Sequence, residues 1–280
     1  MKNRNPLRVF QLINNKNKRT MKLAIYQVDA FAENVFTGNP AAVIPLKNWL
    51  LDEILQNIAM ENNLSETAYF IPAESGFHIR WFTPATEVNL CGHATLASAH
   101  VLFQHLNYQG KEILFQSKSG VLKVKRENEQ IVLDFPTSEV NKTESPAKIE
   151  KAFGIKPQKC FKGREDLMFV FEKQVDIQNL KPDFNFLKTL EMRGIIATAS
   201  SKEYDFVSRF FAPREGIDED PVTGSAHTML IPFWAERLRK KEMVAKQISK
   251  RGGVLHCKYL GERVEIGGKA VTYLVGEINI

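Results

Sequence analysis

Residues 22–29 read as a first strand and the apolar run 41–46 as a second, with a turn at Gly38-Asn39-Pro40 between them. Over 50–62 the apolar positions Leu51, Ile54, Leu55, Ile58 and Ala59 recur at helical spacing. Asp52 near the start of that helix suits its dipole. Residues 66–71 and 77–82 read as strands. The stretch 93–105 is apolar nearly all round, the pattern of a helix enclosed on every side. Strands follow over 111–116, 121–126 and 130–135. The polar stretch 137–147 reads as a linker between two halves. A second round of strands and helices ends in short strands over 263–266 and 270–275.

The order of these elements is duplicated. Arg80-Trp81-Phe82-Thr83-Pro84 matches Arg209-Phe210-Phe211-Ala212-Pro213, and Gly92-His93-Ala94 matches Gly224-Ser225-Ala226. The second loop carries three more residues than the first. Each copy then enters an apolar helix, 93–105 in one and 225–238 in the other. The repeat unit is therefore strand, proline turn, loop, glycine, buried helix. Helix N-termini present unpaired N–H groups and a positive dipole end. Two glycine-led ends facing one cleft would cradle a carboxylate or a developing oxyanion. Small residues at helix starts also serve close packing, so the flanking polar residues decide the reading.

Composition narrows the partners. The 280 residues are enough for one large or two medium domains. The net charge of +6 resides in residues 1–20, which hold six basic and no acidic side chains. From Met21 onward the 32 basic and 32 acidic residues balance. A neutral body argues against a nucleic-acid backbone as partner. The tail reads as a translated leader upstream of a start at Met21, as a disordered basic arm, or as a targeting peptide. No stretch approaches 18 consecutive apolar residues, so no membrane helix is expected. Three cysteines without CxxC spacing point to a reducing, cytoplasmic setting. No histidine pair has zinc-ligand spacing and no phosphate-binding glycine loop occurs, so no metal and no nucleotide cofactor is expected.

The candidate chemistry clusters at the duplicated motifs. Glu66 opens an otherwise apolar strand and is preceded by Ser65. A carboxylate there is either exposed or desolvated, and a desolvated one suits a base that must return its proton. Cys91 and His93 flank Gly92 at one helix start, where a thiol is often a small apolar filler and an imidazole a structural donor. Asp220, Thr223 and Ser225 flank Gly224 at the other, where Asp220 also has the character of a turn or cap residue.

Five motifs, in this order, resemble the PhzF-like proteins, the phenazine-biosynthesis isomerase family of the diaminopimelate-epimerase fold. They are Gly38-Asn39-Pro40, Asn63-Leu64-Ser65-Glu66-Thr67, Phe82-Thr83-Pro84, Cys91-Gly92-His93-Ala94-Thr95 and Glu219-Asp220-Pro221-Val222-Thr223-Gly224-Ser225-Ala226. The resemblance implies an α+β fold of two pseudo-symmetric, epimerase-like domains, each a mixed, barrel-like sheet around a central apolar helix. It places the first domain over 21–130, with a terminal strand near 270–280 returning to it, and the second over 131–269. It implies a cofactor-independent isomerase and a homodimer. Glu66 would be the acid/base, with His93 and Asp220 as proton-relay and orienting partners. Ser65, Ser225, Asn39 and the backbone at Gly92 and Gly224 would hold a small carboxylate-bearing metabolite. The epimerases and racemases of this fold place a thiol before each glycine; here Cys91 and Thr223 stand there. A threonine hydroxyl cannot act as the second thiol base, which argues against a two-thiol racemase. A one-thiol racemase or dehydratase using Cys91 and a non-catalytic binding module are the alternatives.

Overall fold

The structure, a computed structural model, describes residues 21–280; the readings of residues 1–20 lie outside the described residues. The first strand, β1 (Lys22–Ala30), buries Tyr26, Val28 and Ala30, the two-residue period of a sheet packed on one face. It pairs antiparallel with β2 (Asn39–Pro45). The amphipathic helix α1 (Asp52–Asn62) then crosses to β3 (Glu66–Pro72), which runs parallel to β2. Parallel neighbours need such a crossover. β4 (Phe77–Phe82) lies antiparallel to β3 and carries the short β5 (Glu87–Val88). The apolar helix α2 (Gly92–Gln104) crosses to β6 (Glu112–Ser117), parallel to β4. β7 (Gly120–Glu127) and β8 (Gln130–Pro136) continue as an antiparallel meander.

The second half runs through β9 (Asn141–Thr143), α3 (Ile149–Phe153), β10 (Lys159–Lys162), β11 (Asp166–Val170), α4 (Gln174–Gln178), α5 (Phe184–Lys188), β12 (Gly194–Ser200), β13 (Phe206–Ala212) and β14 (Ile217–Asp220). It ends with α6 (Gly224–Leu238), β15 (Glu242–Gln247), β16 (Gly253–Tyr259) and β17 (Arg263–Gly268). The last strand, β18 (Ala270–Asn279), pairs antiparallel with β1. In space the first set is ordered 18-1-2-3-4-6-7-8 and the second 9-10-11-12-13-15-16-17. Each neighbouring pair has the same relative direction in both sets. β8 and β17 pair antiparallel and join the two sets. The boundary expected between residues 130 and 131 falls at the start of β8, which pairs with both β7 and β17.

The duplication extends to side chains. Arg80 makes a two-pronged pair with Glu87, with Nε–Oε1 at 2.8 Å and Nη2–Oε2 at 2.9 Å. Arg209 pairs with Glu219 in the same way, at 2.6 and 2.9 Å. Each guanidinium also stacks at 5.0 Å on the phenylalanine two residues on, Phe82 or Phe211. α2 is buried at every position from His93 to Phe103 and packs on β1, β2, β3 and β8, as its all-round apolar pattern requires. The stretch 137–147 is not wholly a linker: Asn141–Thr143 forms β9 against β10. Its polar residues show no apolar alternation, and only the partner strand makes it extended. Among the described residues no helix is long and apolar enough to cross a membrane.

Candidate active site

The two glycine-led helix starts meet. A Cβ built on Gly92 would lie 3.7 Å from the Gly224 Cα, and one on Gly224 would lie 3.8 Å from the Gly92 Cα. Neither helix is capped by a side chain. The N-cap residues Cys91 and Thr223 are both extended, with φ of −144° and −114°, and neither accepts a hydrogen bond from the first turn. Threonine is a favoured cap, but the Thr223 hydroxyl donates instead to Asp220 Oδ2. The Cys91 thiol lies 3.5 Å from His93 Nδ1. Diverting both cap side chains leaves first-turn amides of two helices for a ligand.

Around this junction the structure gathers Glu66, His93, Asn39, Asp220 and Cys91 from four separate stretches of chain. Glu66 lies at the first position of β3, and its largely buried side chain puts Oε2 3.1 Å from His93 Nε2. The contact is close but off the line of a directed hydrogen bond, so both buried atoms lack a hydrogen-bonding partner. Asn39 opens β2 and is fully buried. Its Nδ2 donates to Asp220 Oδ1 at 2.8 Å and to the Val222 carbonyl at 2.9 Å. The same Nδ2 also lies 3.2 Å from His93 Nδ1, so three partners share two amide hydrogens. The ring nitrogens of His93 face different partners: Nε2 faces Glu66, and Nδ1 faces Asn39 and Cys91.

Charge follows from this geometry. Burial works against a His93 imidazolium, while the neighbouring Cys91 sulfur and the Glu66 carboxylate favour it, and the net direction is upward. Burial pushes the Cys91 thiol up to about 11, so it is neutral near pH 7. Burial also pushes Asp220 up to about 6, aided by Glu66 and opposed by His93 and by the Thr223 and Asn39 hydrogen bonds. Glu66, Cys91 and His93 offer ligand atoms within 4.8 Å of one another, a set that zinc accepts. An ion held by all three would need one ring nitrogen to face both other groups, which differs from the arrangement present.

Ser225 lies at the second position of α6, where its Oγ accepts from Arg193 Nη1 at 3.1 Å. Ser65 is half-buried beside Glu66, and among the described residues its hydroxyl has no hydrogen bond to the other site groups. Four supporting residues escaped the motifs. Gln247 bridges Asp220 and Thr223: its Nε2 donates to the Asp220 carbonyl at 2.7 Å, and its Oε1 accepts from the Thr223 N–H at 2.9 Å. Arg251 ties the turn before Asn39 to the second half through the Gly38 carbonyl at 2.9 Å and Asp29 Oδ1 at 2.8 Å. Gly38 in that turn has φ +67°, and any Cβ would meet the Ala30 carbonyl oxygen at 2.2 Å. Arg193 and Asp166 complete the four. All four act across long sequence separations, and no local spacing marks them.

Similarity to known proteins agrees with this architecture. The family model described as "Phenazine biosynthesis-like protein" matches residues 28–276. An uncharacterized isomerase of Pseudomonas aeruginosa is 49% identical over 260 residues, covering 93% of this chain and 100% of the relative. The crystal structure of a PhzF family protein from Enterococcus faecalis shares 45% identity at a TM-score of 0.91, covering 93% of this chain and all of that one. A hydroxyproline epimerase from Agrobacterium vitis, with a TM-score of 0.63 at 9% identity, covering 95% of this chain and 94% of its own, shares the fold alone. With two pseudo-symmetric epimerase-like halves and motif residues that meet between two uncapped helix starts, this chain belongs to the PhzF, or phenazine biosynthesis-like, family.

Proposed function

We propose that this protein is an isomerase that moves a proton on a small carboxylate-bearing metabolite without a cofactor. Glu66 removes a proton from carbon and returns it elsewhere on the same face of the substrate. His93 balances the carboxylate charge and passes protons. Asp220, held by Asn39 and Thr223, orients the substrate. The free amides at Gly92 and Gly224 stabilise the negative charge that develops when the C–H bond breaks. Relatives that are named as isomerases support the reaction class. The observation that carries the reading is the Glu66 carboxylate, 3.1 Å from His93 and without a directed hydrogen bond, beside two uncapped helix starts.

A thiolate base at Cys91 is the weaker chemistry, because burial pushes that thiol up to about 11. The test is solvent-deuterium uptake at carbon over a panel of small carboxylates. Glu66→Gln is expected to abolish exchange while keeping the wild-type melting temperature within a few degrees. Undiminished exchange in that variant would remove Glu66 from its role.

A further inference from the structure

The pseudo-symmetry lets the two halves be aligned by register. Thr67 pairs with Phe82 in the first half and Ile195 with Phe211 in the second. Setting Phe82 on Phe211, with Arg80 on Arg209 and Glu87 on Glu219, sets Glu66 on Gly194 and Ser65 on Arg193. The parallel pairings Ala41–Glu66 and Asp166–Gly194 then set Ala41 on Asp166. At the helix starts Cys91, Gly92 and His93 fall on Thr223, Gly224 and Ser225.

The two halves have diverged in opposite directions about this alignment. In the first, the start of β3 sends a carboxylate, Glu66, to the second residue of α2, His93. In the second, no side chain is accommodated at the equivalent of Glu66. A Cβ on Gly194 would lie 2.1 Å from the Phe210 ring and 2.7 Å from Asp166 Oδ1. The preceding residue instead sends a guanidinium, Arg193, to the second residue of α6, Ser225. Asp166 grips that guanidinium, with Nη2–Oδ2 at 2.6 Å and Nε–Oδ1 at 3.1 Å, and Phe210 lies under it at 5.4 Å. At these aligned positions one half carries acid and imidazole and the other cation and hydroxyl; Asp220, which falls on Val88, adds a carboxylate to the second half.

Building on the isomerase reading, we propose that Arg193 is a positioning residue that makes the α6 end of the cleft the subsite for the substrate's carboxylate. By donating to Ser225 Oγ, Arg193 occupies one acceptor position of that hydroxyl and leaves its hydrogen free to donate. Ser225 then donates, beside the free amides of α6, to an anion. Asp166 holds the fork in place, and the bidentate grip is one that lysine does not reproduce. The half bearing Glu66 is left for the reacting carbon.

The probe is acetate, with acetamide as its uncharged counterpart, followed through the backbone amide resonances of Gly224 and Ser225. Wild type is expected to show a saturable shift with acetate and none with acetamide. Arg193→Gln weakens acetate tenfold or more, Ser225→Ala does the same, and the double variant is no weaker than Ser225→Ala alone. Arg193→Lys falls between wild type and Arg193→Gln. Wild-type affinity in Arg193→Gln, an equal response to acetate and acetamide, or additive losses in the double variant would overturn the assignment. If Arg193→Gln does not fold, Arg193→Lys and Ser225→Ala decide, and wild-type affinity in either overturns it. For any carboxylate that exchanges deuterium, Arg193→Gln raises KM at least tenfold with kcat within threefold; an unchanged KM refutes the role of Arg193 and leaves the isomerase standing. Acetate binding that depends on Arg193, in a protein that exchanges no carboxylate of the panel, refutes the isomerase and leaves the subsite standing.

Discussion

Asp220→Asn is expected to make the protein more stable and less active, in a pH-dependent way. Asp220 is buried, and its acidity is shifted from 3.8 to about 6, chiefly by desolvation. The folded state therefore binds a proton more tightly than the unfolded chain, and stability falls as pH rises from about 4 through about 6. The gap is about 2 pH units at about 1.4 kcal/mol each, so the ionised carboxylate costs the native state about 3 kcal/mol above pH 6. Asparagine removes that cost and still accepts from Asn39. It turns an N–H toward Thr223, however, so the Thr223 hydroxyl loses its acceptor, a loss of about 1 kcal/mol. The net expectation is a gain of about 2 kcal/mol at pH 7.5, falling to a deficit of about 1 kcal/mol near pH 4. Urea unfolding followed by fluorescence of the buried Trp81 and Trp234 at pH 4, 5, 6 and 7.5 measures the difference directly. A variant no more stable than wild type at pH 7.5, or a difference that stays constant with pH, refutes the reasoning. Deuterium exchange should fall about a hundredfold or more, within the range that a misplaced reacting group costs. Strain kept at a functional site at the expense of stability is the pattern this follows.

Further substitutions test other parts of the account. Cys91→Ala should keep exchange within a few-fold of wild type, because a neutral buried thiol is not the base; loss of exchange would restore the thiol mechanism. Arg209→Ala should destabilise by about 3 kcal/mol in urea unfolding, since it strands the largely buried Glu219. Arg80→Ala should cost less, about 1–2 kcal/mol, because Glu87 keeps Lys118 at 2.5 Å; equal losses would contradict the distinction. Gly92→Ala and Gly224→Ala should each fold with stability within about 1 kcal/mol of wild type, as each Cβ meets only ordinary contacts. Both should raise KM, because the methyl group stands where a ligand approaches the first-turn amides; unchanged KM in both would remove the helix starts from the binding site.

What the sequence by itself determined is the part that local patterning encodes. The all-round apolar stretch of α2, the strand periods, and the two copies of Arg-x-Phe, proline and glycine-led helix are set by neighbours a few residues apart. The Asp220–Thr223 contact is of the same local kind, three residues apart. Tertiary structure decided the rest. Glu66 reaches His93 only because β3 is laid parallel to β2 beside the start of α2. Arg193 reaches Ser225 only because β12 repeats that placement in the second half. The polar β9 is a strand because β10 offers it backbone partners, and β18 closes the first set from the far end of the chain. Hydrogen bonds between groups 27 to more than 200 residues apart leave no periodic trace, since each needs only one suitable residue at one point in space. Whether a carboxylate at a strand end is solvated or desolvated is likewise a property of what packs over it, and that is settled only when the two halves close on each other.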